Sequence, residues 1–245
     1  MRFVAVGELL VDVIATGAGH GARISVRPAG SAFNAAVAAK AAGAESSVIG
    51  SVGDDPAGRM ILAELNAQGV RADVTAREGS TGTFVLADGE VRVDRGVAHD
   101  LVLPERIEAD VVLVSGYVPA AAEALERADA DWVALDAARL AELPPGGNAL
   151  AANEQAASRL TGEGAERAVR TLAEGRRLAF VTLGSQGAVA VMGDQVETVR
   201  PEGVGEDAPG SGDAFAATLL VALAQGDDLA NALARAARAA LDSLA

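Results

Sequence analysis

Residues 207–215 have the sequence DAPGSGDAF and lead directly into a long alanine- and leucine-rich run. The small residues Gly210, Ser211 and Gly212 keep the backbone open, and the run after them predicts that a helix begins here. The N–H groups and the dipole of a helix start favour a bound anion. Asp213 lies in the first helical turn, where its carboxylate would repel a bound anion. A carboxylate at this position is explained if it accepts a proton from the group that attacks the anion. The stretch therefore predicts phosphoryl transfer to a hydroxyl.

In this interpretation Asp213 is the general base, and the backbone N–H groups of residues 210–213 form the anion hole. The alternative is a carboxylate that only interacts with the helix dipole. Transfer to an alcohol also needs a positioned nucleophile, so the sequence should carry an acceptor site upstream.

Upstream of this turn, short valine-rich runs alternate with longer alanine- and leucine-rich stretches. This alternation predicts an α/β fold, a mainly parallel sheet with helices on both faces. Only 3% of the residues are aromatic, so the core should be built from Ala, Val and Leu. The predicted strands are 3–7, 47–52, 111–115, 132–136 and 178–183. The predicted helices are 31–42, 56–68, about 119–128 and 164–174.

Four short runs depart from this rhythm, namely residues 11–16, 22–27, 83–87 and 90–94. A Gly-rich turn separates the first two, and Asp88-Gly89, a strong hairpin signal, separates the last two. We predict that they form a small antiparallel sheet, a lid whose segments are about 9–28 and 80–96. The alternative is two unrelated surface hairpins. No linker or repeat divides the sequence, so residues 1–245 are predicted to be one domain.

The composition restricts the partners and the chemistry. The chain has 34 acidic and 20 basic residues, a formal net charge of −14, which argues against nucleic acid and anionic membrane surfaces as partners. It has no cysteine and only two histidines, so thiolate catalysis and Cys-ligated zinc are excluded and a Ser–His triad is disfavoured. With no signal-peptide pattern and no apolar run long enough to span a bilayer, we expect a cytoplasmic protein.

Two more stretches have a distinctive pattern, AGSAFNAA at 29–36 and IGSVGDDPAG at 49–58. Together with residues 207–213, they resemble the motifs of the ribokinase (PfkB) family of sugar and nucleoside kinases, in the same order and over nearly the whole chain. The resemblance implies a ribokinase-like, Rossmann-type three-layer sandwich. It also implies ATP as the donor, Mg²⁺ carried by ATP and water, and a small sugar or related polyol as the acceptor. The family's catalytic aspartate falls on Asp213.

The resemblance assigns acceptor-binding roles to Asp12, Gly30, Asn34 and Arg95. A carboxylate such as Asp12 can accept bonds from adjacent hydroxyls, and the amide of Asn34 can donate and accept. Gly30 permits backbone angles closed to other residues and is a hinge candidate. The alternatives are a turn carboxylate for Asp12, a helix-surface amide for Asn34 and a solvated side chain for Arg95.

The resemblance also implies a set of nucleotide-binding residues: Asn153, Thr182, Gly184, Gly187 and Asp207. Residues 182–187 follow a predicted strand and look like the nucleotide-binding turn of the family. Without the resemblance, they fit an ordinary strand–loop–strand turn. Asn153 equally fits a helix N-cap.

The sequence departs from the family pattern on the donor side. Ala156 occupies the position of a glutamate that organises magnesium and phosphate through water, and Glu154 is about 200° away around a helix axis. Ala208 replaces a residue that usually carries a hydroxyl, and Arg238 falls where many relatives have an asparagine near the adenine. The C-terminal segment that completes the nucleotide pocket in relatives, and in several a monovalent-cation site, is missing, so no such cation site is predicted.

We therefore predict an ATP-dependent sugar kinase. Some members of the family dimerise through the lid, so the resemblance also implies a homodimer of this kind. Two alternatives fit parts of the sequence. The departures at Ala156 and Ala208 motivate a pseudokinase that binds sugar or nucleotide without efficient transfer. A dinucleotide-binding oxidoreductase fits the α/β pattern alone, but Gly7 is followed by Glu8 and no Gly-x-Gly-x-x-Gly follows the first strand.

Overall fold

The structure is a computed structural model that describes residues 1–17, 19–137, 139–200 and 209–243. The strands are β1 (Arg2–Val6), β2 (Leu10–Thr16), β3 (Arg23–Ala29), β4 (Glu45–Gly53), β5 (Arg71–Arg77), β6 (Thr81–Ala87), β7 (Glu90–Gly96), β8 (Ile107–Glu108), β9 (Val111–Ser115), β10 (Ala128–Asp129), β11 (Trp132–Asp136), β12 (Ala149–Asn153), β13 (Leu178–Thr182), β14 (Ala188–Met192) and β15 (Gln195–Val199). The α-helices are α1 (Ser31–Ala41), α2 (Pro56–Ala67), α3 (Ala121–Arg127), α4 (Glu154–Thr161), α5 (Ala165–Ala173), α6 (Ser211–Ala224) and α7 (Leu229–Asp242).

The main sheet has the strand order β15-β14-β13-β12-β11-β9-β1-β4-β5 within the described residues. The seven neighbouring strands β13, β12, β11, β9, β1, β4 and β5 pair in parallel. At the other edge, β14 pairs antiparallel with β13, and β15 pairs antiparallel with β14. The carboxyl ends of the parallel strands therefore share one edge of the sheet, where ligands of such sheets usually bind. The predicted strands 111–115 and 132–136 are confirmed at their bounds, and the others within two residues.

Two hydrophobic layers cover the two faces of this sheet. Phe3 and Ala5 pack with α1, α6 and α7, and Val4 and Val6 pack with residues of α3, α4 and α5. Alternate residues of a strand point to opposite faces of the sheet. Because successive residues of β1 pack into different layers, both faces of the sheet are buried at this strand. The predicted three-layer sandwich is confirmed. None of the helices in the described part of the chain is long and apolar enough to cross a membrane.

The four short runs form a second sheet with the order β3-β2-β6-β7. Each hairpin is antiparallel, as predicted, but β2 and β6 pair in parallel, so the prediction of a wholly antiparallel sheet is wrong. The parallel pair is possible because β2 and β6 belong to different hairpins, and main-sheet elements connect them instead of a tight turn. The alternative of two unrelated hairpins is excluded, and we call this second sheet the lid.

The motif at residues 49–58 joins the lid to the main domain. The Asp55 carboxylate accepts hydrogen bonds from the Gly58 N–H at 2.7 Å, as the N-cap of α2, and from the N–H and hydroxyl of Thr81 at 2.7 Å each. Burial acts to raise the pKa of Asp55, but these bonds outweigh it and lower the pKa. Because Thr81 begins β6, one carboxylate positions the first residue of the second lid hairpin.

Candidate active site

A cavity of about 320 Å³ lies at the carboxyl edge of the main sheet, beneath the lid. It is lined by the inner face of the lid, the loops after β1 and β9, the start of α1, the ends of β11, β12 and β13, and the start of α6. The lining includes Glu8, Leu10, Asp12, Gly30, Ser31, Asn34, Phe84, Val91, Val93, Arg95, Tyr117, Asp136, Arg139, Asn153, Phe180, Thr182, Gly210, Gly212 and Asp213. The predicted acceptor residues thus share one cavity with the predicted general base.

The turn before α6 has the backbone conformation that its glycines allow. Gly210 is the N-cap residue with φ 96°, and its carbonyl accepts the first helical hydrogen bond from the Ala214 N–H at 3.1 Å. A Cβ at Gly210 would lie 2.6 Å from the Asn34 Nδ2, whereas one at Gly212 would meet nothing within 4 Å. The N–H groups of the first turn have no acceptor within the helix, so they can bind an anion in the open space beside Gly212.

Asp213 is held by a side chain from α1. The Asn34 Nδ2 donates a hydrogen bond of 3.0 Å to the Asp213 Oδ2, and residues of α1 and α6 belong to the same hydrophobic layer. Asn34 is therefore neither on a free helix surface nor separate from Asp213. Its remaining amide oxygen is an acceptor at the wall of the cavity.

Several neighbours disfavour a charge on Asp213. Burial is the largest cause, the Asp136 carboxylate comes next, the Asn34 hydrogen bond opposes both, and Glu8 and Asp12 contribute further repulsion. Together they raise the pKa of Asp213 to about 8. A carboxyl group with a pKa near neutral pH is suited to accept and release a proton during a reaction.

Asp12 projects from β2 on the face of the lid that meets the cavity. It is 5% exposed, and Arg27, its partner in the β2–β3 register, places Nε 3.6 Å from its Oδ2. Burial raises the pKa of Asp12, and Arg27 offsets this only in part. Phe84 lies opposite Asp12 on β6, so an apolar ring neighbours the carboxylate.

Gly30 brings two segments of backbone into contact. It is the N-cap residue of α1 with φ 106°, and a Cβ there would lie 2.4 Å from the Glu8 carbonyl oxygen. The glycine therefore lets the loop between β1 and β2, which carries Glu8, pack against the start of α1. The hinge hypothesis for Gly30 stays a prediction.

Arg95, at the end of β7, is paired with a buried acid. Its Nε donates to the Glu8 Oε1 at 2.6 Å, and the side chains are 26% and 4% exposed. The His99 Nε2 lies 3.4 Å from the same oxygen, and the Arg95 guanidinium is 5.9 Å from the centre of the Tyr117 ring. Arg95 is therefore a partly buried member of the cavity wall, not a freely solvated side chain.

The predicted nucleotide-binding residues divide into three groups. Asn153 and Thr182 line the cavity, although Asn153 also caps α4 by accepting the Ala156 N–H at 2.8 Å. Gly184 and Gly187 are not in the described lining of this cavity. A Cβ at Gly187 would lie 1.9 Å from the Val199 carbonyl oxygen, so this glycine is required for the β13–β14–β15 edge. Asp207, like Ala208, lies outside the described residues.

The sequence did not predict four ionisable residues of the described lining: Glu8 as a buried acid, Tyr117, Asp136 and Arg139. Asp136 is the last residue of β11, so the rule that ligands bind at the carboxyl ends of parallel strands could have indicated it. Within the described residues, no group of three or more His, Cys, Asp or Glu side chains is placed to hold a metal ion.

The mainly parallel sheet with helices on both faces, together with the four-stranded lid, makes up the ribokinase-like fold that the sequence predicts. A sequence profile described as pfkB family carbohydrate kinase matches residues 2–241. The chain belongs to the pfkB family of carbohydrate kinases, which rules out the oxidoreductase alternative.

Individual relatives agree with this assignment. The ribokinase of Bacillus subtilis (strain 168) is 34% identical in an alignment of 243 positions that covers 87% of this chain and 80% of the relative. The crystal structure of ribokinase from Thermotoga maritima has a TM-score of 0.81 at 21% identity and covers 99% of this chain and 92% of its own. Fructokinase from Vibrio cholerae O395, bound to fructose, ADP and calcium, also has a TM-score of 0.81 at 21% identity, with the same coverage. At 21% identity the two structures show the common fold.

Proposed function

We propose that this sugar kinase transfers the γ-phosphoryl group of ATP to a hydroxyl of a small sugar. The observation that carries the proposal is the position of Asp213, in the first turn of α6, bonded to Asn34 and adjacent to an open glycine turn. One carboxylate with a raised pKa therefore lies between an acceptor-side amide and backbone donors suited to phosphate.

In the proposed step, a sugar hydroxyl oxygen attacks the γ-phosphorus of ATP. A new O–P bond forms, the bond from the γ-phosphorus to the bridging oxygen breaks, and its electron pair leaves with ADP. Asp213 accepts the proton of the attacking hydroxyl. The N–H groups of residues 210–213 donate to the oxygens of the transferring group. Removal of the proton and stabilisation of the phosphate thus come from one turn of helix.

The acceptor would be held by the other residues of the cavity. Asp12 would accept hydrogen bonds from sugar hydroxyls, and the Asn34 amide oxygen would accept another. Arg95 keeps its terminal guanidinium N–H groups for a sugar oxygen because its Nε is bonded to Glu8. Gly30 leaves room at the cavity wall beside the start of α1. A cavity of about 320 Å³ suits a monosaccharide rather than a long oligosaccharide.

The described residues fit the phosphate end of ATP, since Gly210 and Gly212 leave an uncovered set of N–H groups. Asn153 and Thr182 would face the phosphates from the opposite wall. Mg²⁺, when bound with ATP, supplies charge compensation on the phosphate oxygens. It would be carried by ATP and water, because no three acidic or histidine side chains among the described residues are placed to hold a metal ion together. In our proposal Asp207, Gly184 and Gly187 also contact the nucleotide.

The pseudokinase alternative is favoured by one observation, the buried Ala156 where the family has a glutamate. A panel of monosaccharides and nucleosides with Mg-ATP, followed by ADP release, distinguishes the two functions. The kinase proposal predicts saturable ADP release with at least one sugar and none above background without it. Binding of a sugar or of ATP by calorimetry without ADP release across the panel would favour the pseudokinase.

We also propose that residues 1–245 act as one cytoplasmic domain that pairs through the lid. Ile24 and Val26 are 68% and 53% exposed and lie on the same side of β3, an edge strand of the lid. A second copy of this chain would cover them. Light scattering should show a dimer that a double substitution, Ile24→Glu with Val26→Glu, converts to a monomer. The net charge of −14 supports small-molecule substrates rather than nucleic acid.

A further inference from the structure

The cavity contains more negative than positive side chains. Its described lining has four carboxylates, Glu8, Asp12, Asp136 and Asp213. The cations among the described lining residues are two arginines, Arg95 and Arg139. A transferring phosphoryl group would add further negative charge to this wall. The two arginines are therefore the side chains of the described lining that can offset this negative charge.

The two arginines differ in their partners. Arg95 is bonded to Glu8 at 2.6 Å, so its charge is already balanced. Arg139 has no hydrogen bond or ion pair within the part of the chain that the structure describes, and it is an exposed residue of the cavity lining. It follows β11 by three residues, so it lies near Asp136, the neighbour whose carboxylate repels a charge on Asp213.

A second observation concerns Arg139 and Tyr117, which line the same cavity. Burial, Asp136 and Asp213 raise the pKa of the Tyr117 hydroxyl to about 12, and Arg139 opposes them. The charges of Asp136, Asp213 and Arg139 therefore all act on the Tyr117 hydroxyl. Arg139 also lines the same cavity as Gly210, Gly212 and Asp213, the residues proposed to bind the transferring phosphoryl group.

We infer that Arg139 is a further catalytic residue, whose guanidinium contacts the non-bridging oxygens of the phosphoryl group during transfer. The inference rests on the proposed function and adds a positive charge to the backbone donors of α6. A guanidinium suits this task because it is planar, always charged and presents paired donors to phosphate oxygens. The guanidinium would stabilise the transition state most, because the backbone donors alone leave part of the charge on those oxygens uncompensated.

The kinetic test compares Arg139→Gln, Arg139→Lys and Arg139→Ala with Arg170→Gln, an exposed arginine on α5. We expect kcat to fall by about 10²–10³-fold for Arg139→Gln, with the sugar KM within about threefold. Arg139→Lys should retain part of the rate, and guanidinium ion should restore part of it to Arg139→Ala, which a merely structural role would not produce. Arg170→Gln should match the unmodified chain. Unchanged kcat, or a rise confined to the sugar KM, would overturn the inference.

A binding test separates this inference from the proposed function, because it does not require turnover. Calorimetry would measure ADP binding with and without tetrafluoroaluminate, which imitates the planar transferring phosphoryl group. The unmodified chain should bind ADP more tightly with tetrafluoroaluminate, and Arg139→Gln should lose that gain while it retains ADP affinity. If both proteins show the same gain, or neither shows any, Arg139 does not contact the transferring group. If the gain depends on Arg139 but no sugar is phosphorylated, the proposed function fails and this contact stands.

Discussion

The Asn34 Nδ2 lies 3.0 Å from the Asp213 Oδ2 and donates a hydrogen bond across the interface of α1 and α6. These residues are 179 positions apart, yet one comes from the motif predicted to bind the acceptor and the other is the predicted base. The bond stabilises the ionised carboxylate against burial and the nearby carboxylates. In the proposed function, this bond would therefore couple acceptor binding to the protonation of Asp213.

Replacement of Asn34 should shift the pH dependence of turnover. The Asn34 hydrogen bond lowers the pKa of Asp213, so Asn34→Ala should raise that pKa and move the acidic limb of the kcat–pH profile to higher pH. At pH 7 we expect kcat to fall about tenfold, since fewer molecules carry an ionised base. Asn231→Ala, which removes an exposed amide on α7, should leave the profile in place. An unshifted acidic limb in Asn34→Ala would show that the bond does not tune the base.

Asp213 should also make the fold less stable as the pH rises. Its pKa is raised from 3.8 to about 8, so between these values the folded chain binds more protons than the unfolded chain and the free energy of unfolding falls with increasing pH. Asp213→Asn removes this dependence. The variant should be more stable than the unmodified chain at pH 9, on the order of 1–3 kcal/mol, with a smaller difference near pH 4. Urea unfolding at both pH values measures this, and a pH-independent difference would contradict the raised pKa.

Gly30 should not tolerate a side chain. A Cβ would lie 2.4 Å from the Glu8 carbonyl oxygen, and φ is 106°. Gly30→Ala should therefore lower the free energy of unfolding by about 2–4 kcal/mol, through strain and displaced backbone. Gly212→Ala is the matched control, because its Cβ would meet nothing within 4 Å in a helical position. That control should be neutral or more stable by about 0.5–1 kcal/mol in thermal unfolding. Equal effects of the two substitutions would contradict the close approach at Gly30.

Loss of Arg95 should affect both stability and acceptor binding. Arg95→Met leaves the buried Glu8 carboxylate without its guanidinium partner, at a cost of about 1–3 kcal/mol. The sugar KM should rise more than the ATP KM, because Arg95 lies on the lid side of the cavity. Arg92→Met breaks a pair of exposed side chains on the same strand and should change stability by less than about 0.5 kcal/mol. If Arg95→Met has both a normal sugar KM and normal stability, Arg95 is not part of the acceptor wall.

Much of the fold can be predicted from the sequence because its central strands are continuous apolar runs. Such runs are typical of parallel strands buried on both faces, and β9 and β11 match their predicted bounds. The two edge strands, β5 and β15, were not predicted, because RADVTAR and QVETV mix charged and apolar residues. β12 was missed for another reason, since ALAAN is rich in alanine, which favours helices.

The candidate site was only partly predictable. The residue types near α6 and after β1 could be recognised, because glycine turns and carboxylates have specific chemical uses. Their partners could not, because the Glu8–Arg95 bond joins residues 87 positions apart and depends on the packing of the lid. Arg139 carries no local signal, and only the fold brings it to the cavity.

The turnover of Asp213→Asn tests the central claim most directly. The variant keeps the size of the side chain and loses the proton acceptor, so the proposed function predicts a loss of kcat of about 10³-fold or more with the sugar affinity unchanged. Asp242→Asn, an exposed residue at the end of α7, is the control and should retain full turnover. ADP release and sugar binding by calorimetry should be measured on all three proteins. Turnover by Asp213→Asn comparable to that of the unmodified chain would contradict the role of Asp213 as general base.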